Sequence, residues 1–236
     1  MLRKLTLKQL LHHAFLGLLN PFAYYIIIFK AYSILPAQVA QPINMIWPIV
    51  LVIMSVIFLK QKIKWKSWVA LFISFGGVIL ISSQGKLSNF STLDPFGIWL
   101  CIGSSFIWAS YWIFNSKNTV KDQVTALFLN FFFGLIYLTI GILAFSSFDF
   151  HSSKSLLAGI YIGIFEIGIS FILWMKALSL ASNSAIIANL IYLAPFLSLL
   201  FIHFILGEAI YITTILGLFF IISAILFQQT YKTVNQ

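Results

Sequence analysis

Residues Ile49–Leu59 read IVLVIMSVIFL, a run with no charge and with Ser55 as its one hydroxyl. A strand of a membrane barrel alternates between lipid and lumen over about 10 residues, and this run does not alternate. An amphipathic helix of a soluble domain carries a polar face at a period of about 3.6 residues, and none is present. A segment apolar on every side is a helix wholly surrounded by lipid or protein. The pattern extends outward through the chain, whose 236 residues are 61% hydrophobic and 8% charged. Mean hydropathy is +1.03, and soluble domains carry about 45–50% apolar and about 25% charged residues. Apolar runs predict eight spans at roughly 14–35, 37–59, 67–83, 96–114, 124–145, 156–178, 184–206 and 211–229. The predicted fold class is an all-α polytopic membrane protein with short connections. The opening MLRKLTLKQLLHH is basic and amphipathic and runs straight into the first span, so no cleavable secretion signal is read there.

Charge supports the same class. The net charge is +9, but the lysines flank apolar runs rather than forming a basic surface, so topology explains them better than nucleic acid does. Arg3, Lys4, Lys8, Lys60, Lys62, Lys64, Lys66, Lys117, Lys121 and Lys232 fall on one side of an eight-span chain, against Lys86 and Lys154 on the other. Lys- and Arg-rich short loops stay in the cytoplasm. The expectation is therefore a multi-pass protein of the plasma membrane, the bacterial inner membrane, with both termini cytoplasmic. The sequon Asn89-Phe90-Ser91 lies in an outer loop, as a three-residue pattern often does by chance. Cys101 has no second cysteine to pair with, and His12, His13, His151 and His203 show no ligand-like helical spacing. No metal site and no cofactor are expected.

The chain repeats itself internally. KAYSILPAQVAQPINMIWP, from Lys30, resembles KALSLASNSAIIANLIYLAP, from Lys176, at an offset of 146 residues, and a one-residue insertion sets Pro48 opposite Pro195. At an offset of 147 the match continues, with Leu59 opposite Leu206, Gln61 opposite Glu208, and Leu71-Phe72 opposite Leu218-Phe219. By the lysine count the two copies enter the membrane in opposite directions, and inverted repeats are typical of secondary transporters.

These residues carry a family resemblance. The segment ALSLASNSAIIANLIYLAPFLSLLFIHFILGEAIYITTILGLFFIISAIL, with Pro195 and the Leu206-Gly207-Glu208 ending, resembles the last three helices of the EamA-like group in the drug/metabolite transporter superfamily. The resemblance spans nearly the whole chain. It implies ten helices as two inverted five-helix repeats around a central cavity, and mostly the export of small metabolites. Measured against that pattern the chain has three helices in the first copy (1–83) and five in the second (96–229), as if the family's first two helices were missing before Met1. An incomplete inverted repeat in a single membrane domain is the expectation.

Candidate site residues follow from position. Gly159, Gly163, Glu166, Ser170 and Trp174 recur every three or four residues, one stripe of one helix. That stripe is expected to turn Glu166 inward, where a carboxylate is costly unless paired, protonated or hydrated. A proton-coupling site and a permanently protonated structural group both remain open, and the Gly159/Gly163 pair reads as close helix packing. The offset of 146 maps Glu166 onto Asn20, beside Pro21 in the first span. Gln38, Gln41 and Asn44 in the following span, and Asn189 and Tyr192 in its counterpart, complete a polar set that serves either a solute path or interhelical hydrogen bonding. Trp108 and Trp174 offer aromatic surface for an amphipathic or cationic solute. Tyr111 and Trp112 read as an interfacial belt, and Lys30 and Lys176 as side chains snorkelling to headgroups.

The function predicted is a secondary transporter or permease that exports small metabolites, amino-acid-like or amphipathic, by alternating access with proton exchange. An intramembrane enzyme needs clustered acids, histidines or an activated nucleophile, and five carboxylates and four scattered histidines do not supply them, so no enzyme is expected. A truncated or structural membrane subunit is the other alternative. The partners expected are a small-molecule solute and membrane lipid, with a homodimer left open and nucleic acid excluded.

Overall fold

The computed structural model describes residues 5–35, 40, 43–83, 94–117, 120, 122–145, 152–206 and 210–229. These are helical throughout, with no strand among them. Five helices among them are long and apolar enough to cross a bilayer, Leu7–Ile34, Trp65–Ser83, Pro95–Ser116, Gln123–Phe145 and Leu156–Leu180. Trp47–Leu59, Ser184–Leu197 and Ile212–Gln228 are shorter apolar helices. This is an all-helical polytopic membrane protein. It divides into two compact units, Met1–Ile26 with Phe114–Leu180, and Ile27–Ile113 with Ala181–Gln236.

In the first unit, α1 (Leu7–Gly17) starts at a capping box. The Thr6 hydroxyl accepts from the Gln9 N–H at 3.3 Å, and the Thr6 N–H donates to Gln9 Oε1 at 3.0 Å. Two otherwise unpaired N–H groups are satisfied this way. A π-helical stretch, Leu18–Ala23, follows. Inside it Asn20 adopts an extended backbone (φ −149°, ψ 124°) before a cis peptide bond to Pro21. Proline lacks the N–H that a continuous helix needs there, and beyond this break the segment runs on into α2 (Tyr24–Ile34). The span expected to be one helix is thus broken at its centre.

The helices α5 (Pro95–Ser116) and α6 (Gln123–Phe145) follow the sequence expectation closely. The span after them does not. It runs as α7 (Ser153–Tyr161), a π stretch (Ile162–Ile169) and α8 (Ser170–Leu180). Under the offset of 146 the first π stretch falls on residues 164–169, within the second and ending with it.

The second unit is held by α3 (Trp47–Leu59), α4 (Trp65–Ser83), α9 (Ser184–Leu190), α10 (Ala194–Leu206) and α11 (Ile212–Gln229). The prolines set two of these starts. α3 begins one residue before Pro48, and α10 one residue before Pro195 after a 3-10 turn at Ile191–Leu193. The apolar runs predicted at 37–59 and 184–206 are interrupted there, because proline near a helix start fits where an interior one does not. α3 ends at Lys60 in the left-handed region (φ 54°), with the Lys60 N–H donating to the Ser55 carbonyl.

The most intimate pairing in this unit is α4 against α11. A Cβ on Gly77 would lie 2.6 Å from the Gly217 carbonyl oxygen, and one on Gly217 would lie 2.5 Å from that of Gly77. Glycine is required on both helices for backbones to approach this closely. Val78, Ile81, Ile221 and Ile225 pack beside that crossing, joined by Ile49, Val52, Leu71, Ala185, Ala188 and Tyr192.

Candidate functional site

The crossing of α1 and α6 is built on small residues. A Cβ on Gly17 would lie 2.5 Å from the Asn130 carbonyl oxygen and 2.8 Å from the Gly134 nitrogen, while Gly134 faces the Pro21 ring. Phe22 packs edge-on against Tyr137, with ring centroids 5.9 Å apart. Asn20 is fully buried in this unit, and neither its Oδ1 nor its Nδ2 has a protein partner. In a bilayer interior no water meets such a group by default, so an unpaired amide carries a cost of several kcal/mol.

Seven residues earlier, His13 is also fully buried, and its Nδ1 lies 2.7 Å from Asn130 Oδ1. The Asn130 amide donates to Asn115 Oδ1 at 3.1 Å, and the Asn115 amide donates to Met175 Sδ at 2.7 Å. Sequence reasoning passed over this chain. Adjacent histidines without ligand spacing looked inert, and two isolated asparagines carried no pattern. The available signal was the run His13, Gly17, Asn20, an i, i+4, i+7 stripe of polar and small residues on an otherwise apolar helix.

The stripe on the 153–180 span departs from expectation. Glu166 and Ser170 are exposed, Trp174 is half-buried, and a Cβ on Gly159 or Gly163 would meet nothing within 4 Å. The expected close packing at Gly159/Gly163 and the inward turn of Glu166 are therefore corrected. The cause is local. The spacing argument assumed 3.6 residues per turn, and the π stretch Ile162–Ile169 closes its turns over five residues, as the Ser170 N–H donating to the Phe165 carbonyl shows. Residues 163, 166 and 170 do not stay in one line. The Glu166 carboxylate is within electrostatic reach of Tyr25.

In the second unit the polar residues hold one another. The Ser74 hydroxyl donates to Asn189 Oδ1, the Asn189 amide to Gln228 Oε1 at 2.9 Å, and the Gln228 amide to the Ala185 carbonyl at 3.2 Å. Gln61 Oε1 accepts from both the N–H and the hydroxyl of Ser184, at 3.1 and 2.9 Å. Asn189 is thus spent on tying α9 to α4 and α11. Tyr192 is fully buried in the apolar core beside Phe75, its hydroxyl without a partner. Asn44 is buried and its carbonyl accepts from Ser105 at 3.1 Å. Gln38 and Gln41 lie outside the described residues.

Trp108 is half-buried, with its ring 6.1 Å from that of Trp47 and 5.9 Å from that of Trp112. The interfacial reading of Tyr111 and Trp112 is overturned, since they are 0% and 2% exposed and their rings meet at 5.0 Å. Their position near a helix end suggested headgroups, but residues on the protein-facing side of a span pack inward whatever their depth. Lys30 and Lys176 are exposed, and Cys101 is buried and free. Among the described residues no cluster of three potential metal ligands occurs. An open groove of about 520 Å³ is lined by Ile73, Gly76, Leu80, Phe219, Phe220 and Phe227. It is apolar and contains none of the candidate site residues.

Comparison with known proteins agrees with this architecture. Relatives include an uncharacterized transporter of Archaeoglobus fulgidus, 32% identical over 58% of this chain and 48% of its own length. Another, from Clostridium kluyveri, is 28% identical over 70% of this chain and 54% of its own. Protein PecM of Dickeya dadantii is 25% identical over 91% of this chain and 72% of its own. The chain thus matches about half the length of the two uncharacterized transporters. A solved crystal structure shares the fold at a TM-score of 0.75 and 18% identity, over 94% of this chain and 77% of its own. The model of the EamA-like transporter family matches residues 2–83 and 95–228, which is most of the sequence, and the chain belongs to that family.

Proposed function

We propose that this chain exports a small metabolite across the bacterial inner membrane by alternating access, with proton exchange at Glu166, which is exposed on the first unit rather than turned inward, as the driving reaction. The observation that carries the reading is Asn20. It sits in extended backbone at a break in a membrane span, buried, with both ends of its amide unpartnered. Broken helices that offer free polar groups mid-membrane are how transporters of this general kind bind solute. An amide accepts and donates at once, which suits an amino-acid-like solute.

Two coincidences support an inverted repeat of 1–83 and 96–229 as the moving parts. The π stretches at Leu18–Ala23 and Ile162–Ile169 overlap and end together at an offset of 146, and the helix starts at Trp47 and Ala194 correspond at 147. Within the first unit Asn20, Ser170 and Trp174 are the proposed solute-contacting groups, and within the second unit Asn44 and Trp108. Asn189 and Tyr192 serve as packing groups of the second unit. Both termini are assigned to the cytoplasm from the lysine count.

The test is uptake into proteoliposomes holding the purified chain, screened with amino acids and cationic dyes. Removing an unpartnered buried amide relieves about 1–3 kcal/mol, so Asn20→Ala is expected to be more stable than wild type and at least about tenfold slower in transport, the exchange of activity for stability typical of binding sites. Glu166→Gln is expected to transport without pH dependence. Asn20→Ala that transports every solute at the wild-type rate would remove the basis of the assignment.

A further inference from the structure

We propose that the groove along α4 and α11 is a binding site for an anionic phospholipid, with one acyl chain lying in the groove and the headgroup phosphate held at Lys66. On α11 the groove runs from Phe227 to Phe219, about 12 Å of helix at 1.5 Å per residue. That is close to the depth of one leaflet of a hydrocarbon core about 30 Å thick. A cavity of about 150 Å³ takes one benzene, so the groove's volume of about 520 Å³ has room for roughly twenty carbons, the size of one acyl chain. Phe219 and Phe220, which line it, are exposed.

Part of the groove exists because a side chain is missing where no protein contact forbids one. Glycine is a poor helix former. Gly77 and Gly217 are needed where the two backbones meet, but a Cβ on the neighbouring Gly76 would meet nothing within 4 Å. The space left at Gly76 belongs to the groove, and inside a bilayer hydrocarbon fills such a space.

Hydrocarbon alone would make this a stretch of ordinary lipid contact, and the charge at one end is what makes it selective. Phe227, the last lining residue of α11, packs edge-on against Trp65, with ring centroids 6.2 Å apart. The Lys66 ammonium lies 5.3 Å from the Phe227 ring and 6.0 Å from that of Trp65. Two rings therefore hold the Lys66 side chain beside this end of the groove. Lys60, Lys62 and Lys64 precede it and are exposed. Neither α4, nor α11, nor the loop that carries these lysines contains a carboxylate, so this end of the helix pair is net positive. An ammonium offers three donors and no acceptor, which complements a phosphate. Trp and Lys at the end of a span sit at headgroup level, the depth at which an acyl chain begins.

The site is independent of what the protein transports. The full chain, purified in detergent, is incubated with phosphatidylglycerol or with phosphatidylcholine of the same acyl chains, and retained lipid is counted by native mass spectrometry. Phosphatidylglycerol is expected to be retained in preference. Lys66→Gln is expected to lower that preference about fivefold, the effect of one cationic side chain near an anionic headgroup. Gly76→Leu fills the groove and is expected to abolish retention of the first lipid bound. Phosphatidylglycerol with a diazirine on its acyl chain is expected to cross-link to peptides spanning 73–80 and 219–227. Equal retention of the two lipids, an unchanged preference in Lys66→Gln, or cross-links confined to other helices would each overturn the proposal. So would a dimer that Gly76→Leu separates, since a second copy of the chain would then be the occupant. Lys66→Gln and the wild-type cross-links leave the groove untouched, so they decide the matter even if Gly76→Leu fails to fold.

Discussion

Gly17 and Gly163 are related by the internal offset of 146, yet the same substitution is expected to have opposite consequences at the two. At Gly17 a methyl group would lie 2.5 Å from the Asn130 carbonyl oxygen, 2.8 Å from the Gly134 nitrogen and 2.9 Å from the Phe133 Cβ. Two of these are backbone atoms of α6, which cannot swing aside as a side-chain tip can. Ordinary contact needs about 3.5 Å, so α1 and α6 must part by roughly 1 Å at the crossing. Overpacking of this kind costs about 1–3 kcal/mol. Parting by that amount also stretches the 2.7 Å His13–Asn130 hydrogen bond, worth about 1 kcal/mol. Gly17→Ala is therefore expected to lose about 2–4 kcal/mol. At Gly163 nothing lies within 4 Å, and an added methyl raises helix propensity by up to about 1 kcal/mol, so Gly163→Ala is expected to be neutral or slightly stabilising. Thermal unfolding of both variants in the same detergent, with reversible steric trapping in bicelles for the free energies, reads the difference. A Gly17→Ala protein as stable as wild type, or equal losses at both sites, would mean that the α1–α6 crossing is not built as described.

Two further predictions concern packing and pH. Asn189→Ala leaves the Ser74 hydroxyl and Gln228 Oε1 without the partner they share, so a loss of about 2–4 kcal/mol is expected from two orphaned groups, read by the same unfolding measurement; a loss below about 0.5 kcal/mol would show the network to be dispensable. Asp122, at the start of α6, accepts from the Thr125 hydroxyl and from the N–H groups of Thr125 and Val124, and these bonds lower its pKa from the ordinary carboxylate value, the Thr125 hydroxyl most of all. Its contribution to the helix start is therefore present above the unfolded pKa and lost as pH falls through the lower folded value. Thr125→Ala is expected to raise the Asp122 midpoint, measured by carboxyl ¹³C NMR, and an unchanged midpoint would refute the cause.

What the sequence disclosed and what it hid divide along physical lines. Helices were legible because a bilayer leaves the backbone few alternatives, and an eleven-residue run such as Ile49–Leu59 cannot be anything else. Pro48 and Pro195 stand at the starts of α3 and α10, yet the runs at 37–59 and 184–206 read as unbroken spans, because apolar composition alone does not register a helix start. The π stretches were not legible, since a change from i+4 to i+5 closure leaves no mark in composition, and that change undid the stripe at Gly159, Gly163 and Glu166. The crossing at Gly77 and Gly217 was hidden too. The two glycines are far apart in the chain and fit neither repeat offset, so only the fold pairs them. Burial of Tyr111 and Trp112 depended on which face of α5 meets protein, and an all-apolar helix does not announce its faces.

The polar groups that matter for function are separable from those that matter for folding by a single criterion, whether the fold already satisfies them. Outside lipid this criterion is weak, because water completes any unfinished hydrogen bond. Inside it, each group left over carries a cost of its own. In the second unit Ser74, Asn189, Gln228, Gln61 and Ser184 satisfy one another, and changing any of them is expected to weaken the fold. Its Tyr192 hydroxyl is left over, but a hydroxyl rotates freely and the ring is held by an apolar core. The first unit spends Asn130 and Asn115 in orienting His13 and then leaves His13 Nε2 and both ends of Asn20 open on one helix. A carboxamide with both ends open is the chemistry that the proposed solute binding at Asn20 calls for. Packing among the described residues leaves these groups without hydrogen-bond partners, and Asn20 is the one on which the proposed function rests.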